Sequence, residues 1–188
     1  HRLMPFDHFD FIAPVYARAG EYSGLSTLTR LLGLPTTGRL LDVGGGTGRV
    51  ARSLRNQAGQ VVLADVSLGM LRVAASIPGL QTAASASERL PYPDGSFSRV
   101  LIVDALHHVE DHAQTAAEMW RVLQPGGRIL VIEPDIRVFA VKLIALAEKL
   151  LLMRSHFLDP NQIAALFPQA RTEIHVEVGS AFVLIQKT

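Results

Sequence analysis

The stretch Leu40-Leu41-Asp42-Val43-Gly44-Gly45-Gly46-Thr47-Gly48-Arg49 constrains this chain more than any other. An apolar run stops at glycines, and helix-compatible sequence resumes at about Val50. The pattern predicts a buried strand that turns through a tight loop into a helix. Glycine permits positive φ and lets a ligand approach the backbone with no Cβ in the way. The helix N-terminus behind the loop presents unpaired N–H groups. The spacing Gly44-x-Gly46-x-Gly48 is tighter than G-x-G-x-x-G, because Arg49 stands where the dinucleotide pattern needs its last small residue. Close approach by a ligand is implied; a pyrophosphate is not.

A second apolar run, Val61-Val62-Leu63-Ala64-Asp65, ends in one carboxylate about 20 residues after the loop. At that distance the second strand of a βαβ unit sets an acid against ribose hydroxyls. Further strands are expected over Leu80–Ala84, over Phe97–Asp104 with its unbroken Val100-Leu101-Ile102-Val103, and over Arg128–Glu133. Helices are expected over Leu25–Leu34, Val50–Gln57, Leu68–Ser76 with Ser67 as N-cap, and His112–Val122. Another follows Asp159-Pro160. Thr172–Val178 and Ala181–Gln186 read as a closing hairpin around Gly179. Strands alternating with helices imply parallel βαβ units with right-handed crossovers. Ligands of such sheets sit beyond the strand carboxyl ends, where Gly44, Asp65, Ser85 and Asp104 all fall.

Four segments, in order, resemble the class I S-adenosylmethionine (SAM) dependent methyltransferases, and most of all the small-molecule group that includes the ubiquinone/menaquinone-biosynthesis enzymes. They are Leu41 to Gly48, Ala64 to Leu71, Glu88-Arg89-Leu90-Pro91-Tyr92-Pro93-Asp94-Gly95-Ser96-Phe97, and Ala105-Leu106-His107-His108-Val109 followed by Arg121 to Arg128. The resemblance covers about residues 38 to 135. It implies a single α/β domain with a Rossmann-like doubly wound sheet, mostly parallel with a final antiparallel strand, and helices on both faces. Residues 1–37 would then be an N-terminal arm, 38–135 the cofactor core, 136–158 a helical insert or lid, and 159–188 the closing helix and hairpin.

The resemblance implies SAM as cofactor. The glycine loop (Gly44, Gly46, Gly48) would meet its methionine tail, Asp42 would orient the tail's ammonium, and Asp65 would take the ribose diol. Val66 and Met70 are placed to pack on the adenine, with a plain core role equally open for Met70. The family commonly carries an acid where this chain has Ala86, and Ser85 or Ser87 could offer a polar group to the adenine instead. Asp104 closes the fourth strand beside the same site. His107, just beyond it, is the candidate base, weighed against a shape-filling role. His108 and His112, four apart on an expected helix start, are read as facing solvent, and no metal site is expected. Tyr16, Tyr92, His156 and Phe157 are further pocket candidates, and Glu133 and Asp135 are expected to cap the insert.

The chain has 188 residues, of which 48% are hydrophobic, so one domain can bury a substantial core. A net charge of +1 and the lack of a basic stripe argue against a nucleic-acid partner. With no cysteine there is neither a disulfide framework nor thiolate chemistry. No leader is visible, and a cytoplasmic location is expected. The apolar segment 136–153 carries Arg137, Lys142, Glu148 and Lys149, too charged for a membrane span. A lid, a homodimer face, a membrane-surface helix and a core helix all stay open for it. The expected activity is methyl transfer to carbon or oxygen of a small apolar or aromatic acceptor. A non-catalytic SAM-binding or assembly protein is the alternative, and a nicotinamide-dependent oxidoreductase is a weaker one.

Overall fold

The computed structural model describes residues 22–135, 137, 156–177 and 179–188. Residues 1–21 of the expected arm, including Tyr16, and all of the apolar segment 136–153 but residue 137 lie outside the described residues. The elements run α1 (Leu25–Leu32), β1 (Arg39–Val43), α2 (Arg49–Leu54), β2 (Gln60–Asp65), α3 (Leu68–Ala74), β3 (Leu80–Ala84), β4 (Phe97–Val103), a 3-10 turn (Leu106–His108), α4 (His112–Val122), β5 (Leu123–Pro134), α5 (Pro160–Ala165), β6 (Arg171–Glu177) and β7 (Ser180–Gln186).

The strands form one seven-stranded sheet in the order β3-β2-β1-β4-β5-β7-β6. β1 pairs in parallel with β2 on one side and β4 on the other, so strand order reverses at β1. β7 is antiparallel to both β5 and β6. This is the expected doubly wound architecture with its final antiparallel strand.

Alternation along each strand divides the core into two layers. Leu41, Val100, Ile102, Ile129, Val131, Val183 and Ile185 face Ala116, Met119 and Val122 of α4 and Ile163 of α5. Leu40, Leu63, Leu101, Leu130, Ile132, Phe182 and Leu184 face Leu28, Leu31 and Leu32 of α1, Val50, Ala51 and Leu54 of α2, and Leu71 and Ala74 of α3. The inner strands are apolar on both faces because helices cover both.

Element ends differ from the sequence reading in three places. α1 stops at Leu32, where Gly33 takes φ +64°. α2 and α3 stop short of Gln57 and Ser76, because the N–H groups of Gln57, Ser76 and Ile77 reach back only three residues. β5 starts at Leu123, not Arg128: Leu123 pairs with Phe97, and a register shift opposite Phe97–Arg99 absorbs the Pro125-Gly126-Gly127 stretch. Among the described residues no helix is long and apolar enough to cross a membrane.

Candidate active site

The site lies at the carboxyl ends of β1, β2 and β4, where strand order reverses. Gly44, Gly46 and Gly48 all take positive φ (64°, 55° and 79°). Their surroundings set them apart. A Cβ on Gly44 would lie 2.8 Å from Cβ of Ala105. One on Gly48 would strike Ile77 at 2.8 Å. One on Gly46 would meet no described atom closer than Sδ of Met70 at 3.9 Å. Gly48 therefore closes helix packing, and Gly46 is where a ligand can come in.

Asp65 holds the loop. Its Oδ2 accepts from the Gly46 N–H at 2.9 Å, and its Oδ1 from the Ser67 N–H at 2.8 Å. Ser67 in turn caps α3, its Oγ accepting from the Met70 N–H at 3.1 Å. Val66 is 62% exposed beside Asp65, whereas Met70 is buried under the loop. Asp42 is buried, and its Oδ2 has no hydrogen-bond partner among the described residues. Burial, and then the charge of Asp65, push its pKa up to about 7, against the Ala51 N–H and Arg49.

The turn after β3 is tied to the same acid, the Ser85 N–H donating to the Asp65 carbonyl at 3.0 Å. Ser85 Oγ is buried and unpartnered among the described residues, and Ala86 is exposed. Ser87 hydrogen-bonds Glu88 and Thr115 instead (3.1 and 3.0 Å). Of the two serines, Ser85 is the one with an unpartnered hydroxyl at this edge.

Asp104 ends β4 at φ +51°, a conformation that costs a non-glycine residue about 1–3 kcal/mol. It ion-pairs with Arg49 at 3.6 Å, and the Arg49 guanidinium lies 5.4 Å over the ring of Tyr22. Burial and then Glu133 raise the Asp104 pKa. Burial, with Asp104 next, raises that of Tyr22. Tyr22 carried no sequence signal; only the fold brings it to Arg49.

His107 is 5% exposed and buried in the turn that follows Ala105. Its Nδ1 hydrogen-bonds Oε2 of Glu133 at 2.5 Å, while Oε1 of Glu133 accepts from the N–H groups of Ala105 and Leu106 (3.0 and 2.8 Å). The ring of Phe157 stacks on His107 at 4.3 Å and 12°, and the His156 N–H donates to the His107 carbonyl at 2.7 Å. Most of the insert lies outside the described residues, and within them Glu133 binds this turn with both oxygens. It orients the histidine, because a lone acid closing a buried strand needs partners, and this turn supplies three. Its place at a strand carboxyl end was the signal available in sequence. Asp135 accepts from the backbone and side chain of Arg137, and most of the insert that it was expected to cap lies outside the described residues.

Two expectations are corrected. His108 and His112 do not share a helix: His108 sits in the 3-10 turn, half-buried against His107 at 4.0 Å, and His112 opens α4. Burial, with His107 next, lowers the His108 pKa to about 4. Tyr92 packs edge-on against Phe97 at 4.9 Å, at the amino end of β4, and so at the opposite end of the sheet from the site.

The expected cofactor can be tested against these residues. A buried carboxylate with one unpartnered oxygen among the described residues suits an ammonium group. An acid at the rim of an open glycine suits a diol, and exposed Val66 beside an unpartnered serine hydroxyl suits an aromatic base with polar edges. The residues fit SAM.

Comparison with known proteins gives the same direction. A family model described as a methyltransferase domain matches residues 41–131. The ubiquinone/menaquinone biosynthesis C-methyltransferase UbiE of Pseudomonas savastanoi pv. phaseolicola is 39% identical over 113 residues, covering 55% of this chain and 44% of that protein. UbiE of Bordetella parapertussis is 41% identical over 103 residues, covering 50% and 40%. The chain thus spans less than half the length of these curated relatives. A solved SAM-dependent methyltransferase of Thermotoga maritima superposes with a TM-score of 0.80 at 21% identity, covering 96% of this chain and 98% of that one. A protein of Pyrococcus horikoshii superposes at 0.78 and 20%, covering 97% and 100%. These structural likenesses establish the fold.

Proposed function

We propose that this chain, whose residues 41–131 match a family model described as a methyltransferase domain, is a class I, S-adenosylmethionine-dependent methyltransferase acting on carbon or oxygen of a small apolar or aromatic acceptor. The observation that carries the reading is the contact between the glycine loop and the histidine turn. Gly44 abuts Ala105, two residues before His107, so ligand loop and buried histidine share one site.

Bound there, SAM supplies an electrophilic methyl group on a sulfonium that departs as a neutral thioether, so no acid is needed to expel it. The chain's residues then have three tasks. Gly46 and Asp65 hold the nucleoside side, Asp42 takes the ammonium, and Val66 and Ser85 flank the base. Phe157, stacked on His107, gives the acceptor side an aromatic wall. With Nδ1–H donated to the Glu133 carboxylate, the basic lone pair of His107 is on Nε2, which takes the acceptor's proton. His108, at a pKa of about 4, is too weak a base at neutral pH for this role. Alignment alone is worth up to about 7–11 kcal/mol of the barrier. The names of the UbiE relatives favour a quinone-type acceptor and transfer to carbon.

A second reading, a SAM-binding protein without turnover, is favoured by exposed Ala86, where the family commonly has an acid. Calorimetric titration with SAM and with S-adenosylhomocysteine, beside an Asp65→Ala control, tests the site. We expect binding, weakened about a hundredfold or more by Asp65→Ala, since each charge-assisted hydrogen bond contributes about 1.5–3 kcal/mol. A screen of quinols and phenols with methyl-labelled SAM then separates the two readings. No binding of either ligand overturns both.

A further inference from the structure

β6 is an edge strand: β7 covers one side of it, and no described strand covers the other. Edge strands that stay single are defended by charged side chains, Lys above all, by proline or by bulges. β6 has no lysine, proline or register shift, and its charges are of both signs. It reads Arg171-Thr172-Glu173-Ile174-His175-Val176-Glu177, and Ile174 and Val176 are exposed (38% and 52%).

We propose that β6 is the seam of a homodimer, two copies of the strand pairing antiparallel about a twofold axis through Ile174. The strand is self-complementary in that register and in no other centred on its length. Arg171 falls opposite Glu177 of the second copy, Glu173 opposite His175, Thr172 opposite Val176, and Ile174 opposite itself. Each charged pair occurs twice by symmetry, which is what an isologous interface requires. On the other face, Thr172, Ile174 and Val176 of the two copies make one apolar strip.

Within one chain Glu177 accepts from the Thr27 hydroxyl at 2.6 Å, and the other charges pair along the strand. Arg171 reaches Glu173 at 3.7 Å and His175 reaches Glu173 at 3.8 Å, along the strand. Neighbours two apart on a strand are about 6.5 Å apart at the backbone. Directly opposed residues of paired strands bring their Cβ atoms to about 4.5–5.5 Å, a closer fit for the same charges. The opposite edge of the sheet offers no such code: β3 reads Leu80-Gln81-Thr82-Ala83-Ala84, with no charge at all. The pairing would join two seven-stranded sheets into one continuous sheet with the carboxyl-end sites of the two copies far apart.

Sedimentation velocity over a dilution series tests this, on the wild type, on Glu173→Lys and on the double variant Glu173→Lys/His175→Glu. Thermal melts report folding, and S-adenosylhomocysteine titration reports the cofactor site independently of assembly. The wild type is expected to dimerise. Glu173→Lys, which opposes Lys to His175 twice, should raise the dissociation constant about tenfold or more, and the double variant should bring it back. A wild type monomeric at every concentration overturns the proposal. So does a dimer that Glu173→Lys leaves unchanged, or a folded double variant that does not recover.

Discussion

Asp42 is a buried carboxylate that is costly to ionise. Its pKa is raised in the folded state, so the native protein holds a proton that the unfolded chain has already released between about pH 4 and 7. Stability from this group is full below the unfolded value and falls as pH rises through 7. Asp42→Asn should therefore raise the urea midpoint of the ligand-free protein at pH 8, have little effect at pH 4, and weaken SAM binding at both. Glu133→Gln replaces an acceptor for the His107 Nδ1–H by an amide whose oxygen can serve the Ala105 and Leu106 N–H groups but not the ring as well. We expect the His107 tautomer to change in 15N spectra and kcat to fall about 10²–10⁴-fold, the usual worth of a positioned base. At this scale the sequence was most readable where function rides on spacing. Gly44, Gly46 and Asp65 lie on one loop and one strand end, and their separation along the chain is their geometry. Glu133, Phe157 and Tyr22 reach the site from strands and turns remote in sequence. Their roles depend on β5 lying beside β4 and on a loop returning across His107, which no local pattern encodes.

Between elements, the Leu90 to Gly95 loop is bound to α4 by two side chains, Arg121 and Glu118. Arg121 donates to the carbonyls of Leu90 and Tyr92 and to Asp94, and pairs twice with Glu118. Glu118 in turn accepts from the Leu90 N–H, and the hydrogen bonds from Arg121 hold its pKa below the ordinary range. Arg121→Ala should cost about 1–3 kcal/mol in chemical denaturation. Its effect should shrink in acid: the lowered pKa means that the Glu118 contribution is present above its unfolded value and lost as pH falls through the folded one. The strands were legible as apolar runs, because strands covered on both faces can carry little else. Helix ends were less so. Gly33 could be read as a stop, but the short back-bonds that end α2 and α3 involve no special residue, and the β5 bulge preserves pairing across a Pro-Gly-Gly stretch that reads as a break.

Taken whole, the molecule is two helical layers on one sheet, with the site confined to one rim of it. Ligand binding at that rim should stabilise the entire domain. S-adenosylhomocysteine at about a hundredfold excess over its dissociation constant adds about 2.7 kcal/mol. That corresponds to a rise of roughly 5–10 °C in Tm for a chain of this size, and the rise should vanish in Asp65→Ala. Phe182, fully buried against the α1 layer, tests the other rim: Phe182→Ala should cost about 3–5 kcal/mol by differential scanning calorimetry. The insertion of β7 between β5 and β6 is not legible in residues 171–186, since a hairpin pattern says which strands are adjacent to each other and not which one faces the rest of the sheet. That insertion has a consequence during protein synthesis. β5, which carries Glu133, emerges from the ribosome well before β7, its only neighbour on that side. Until β7 is translated, the strand that orients His107 presents a bare edge, and β6 has nothing to pair with. The order of translation thus leaves the β5 edge open, with Glu133 near its carboxyl end, until residues 180–186 have been made.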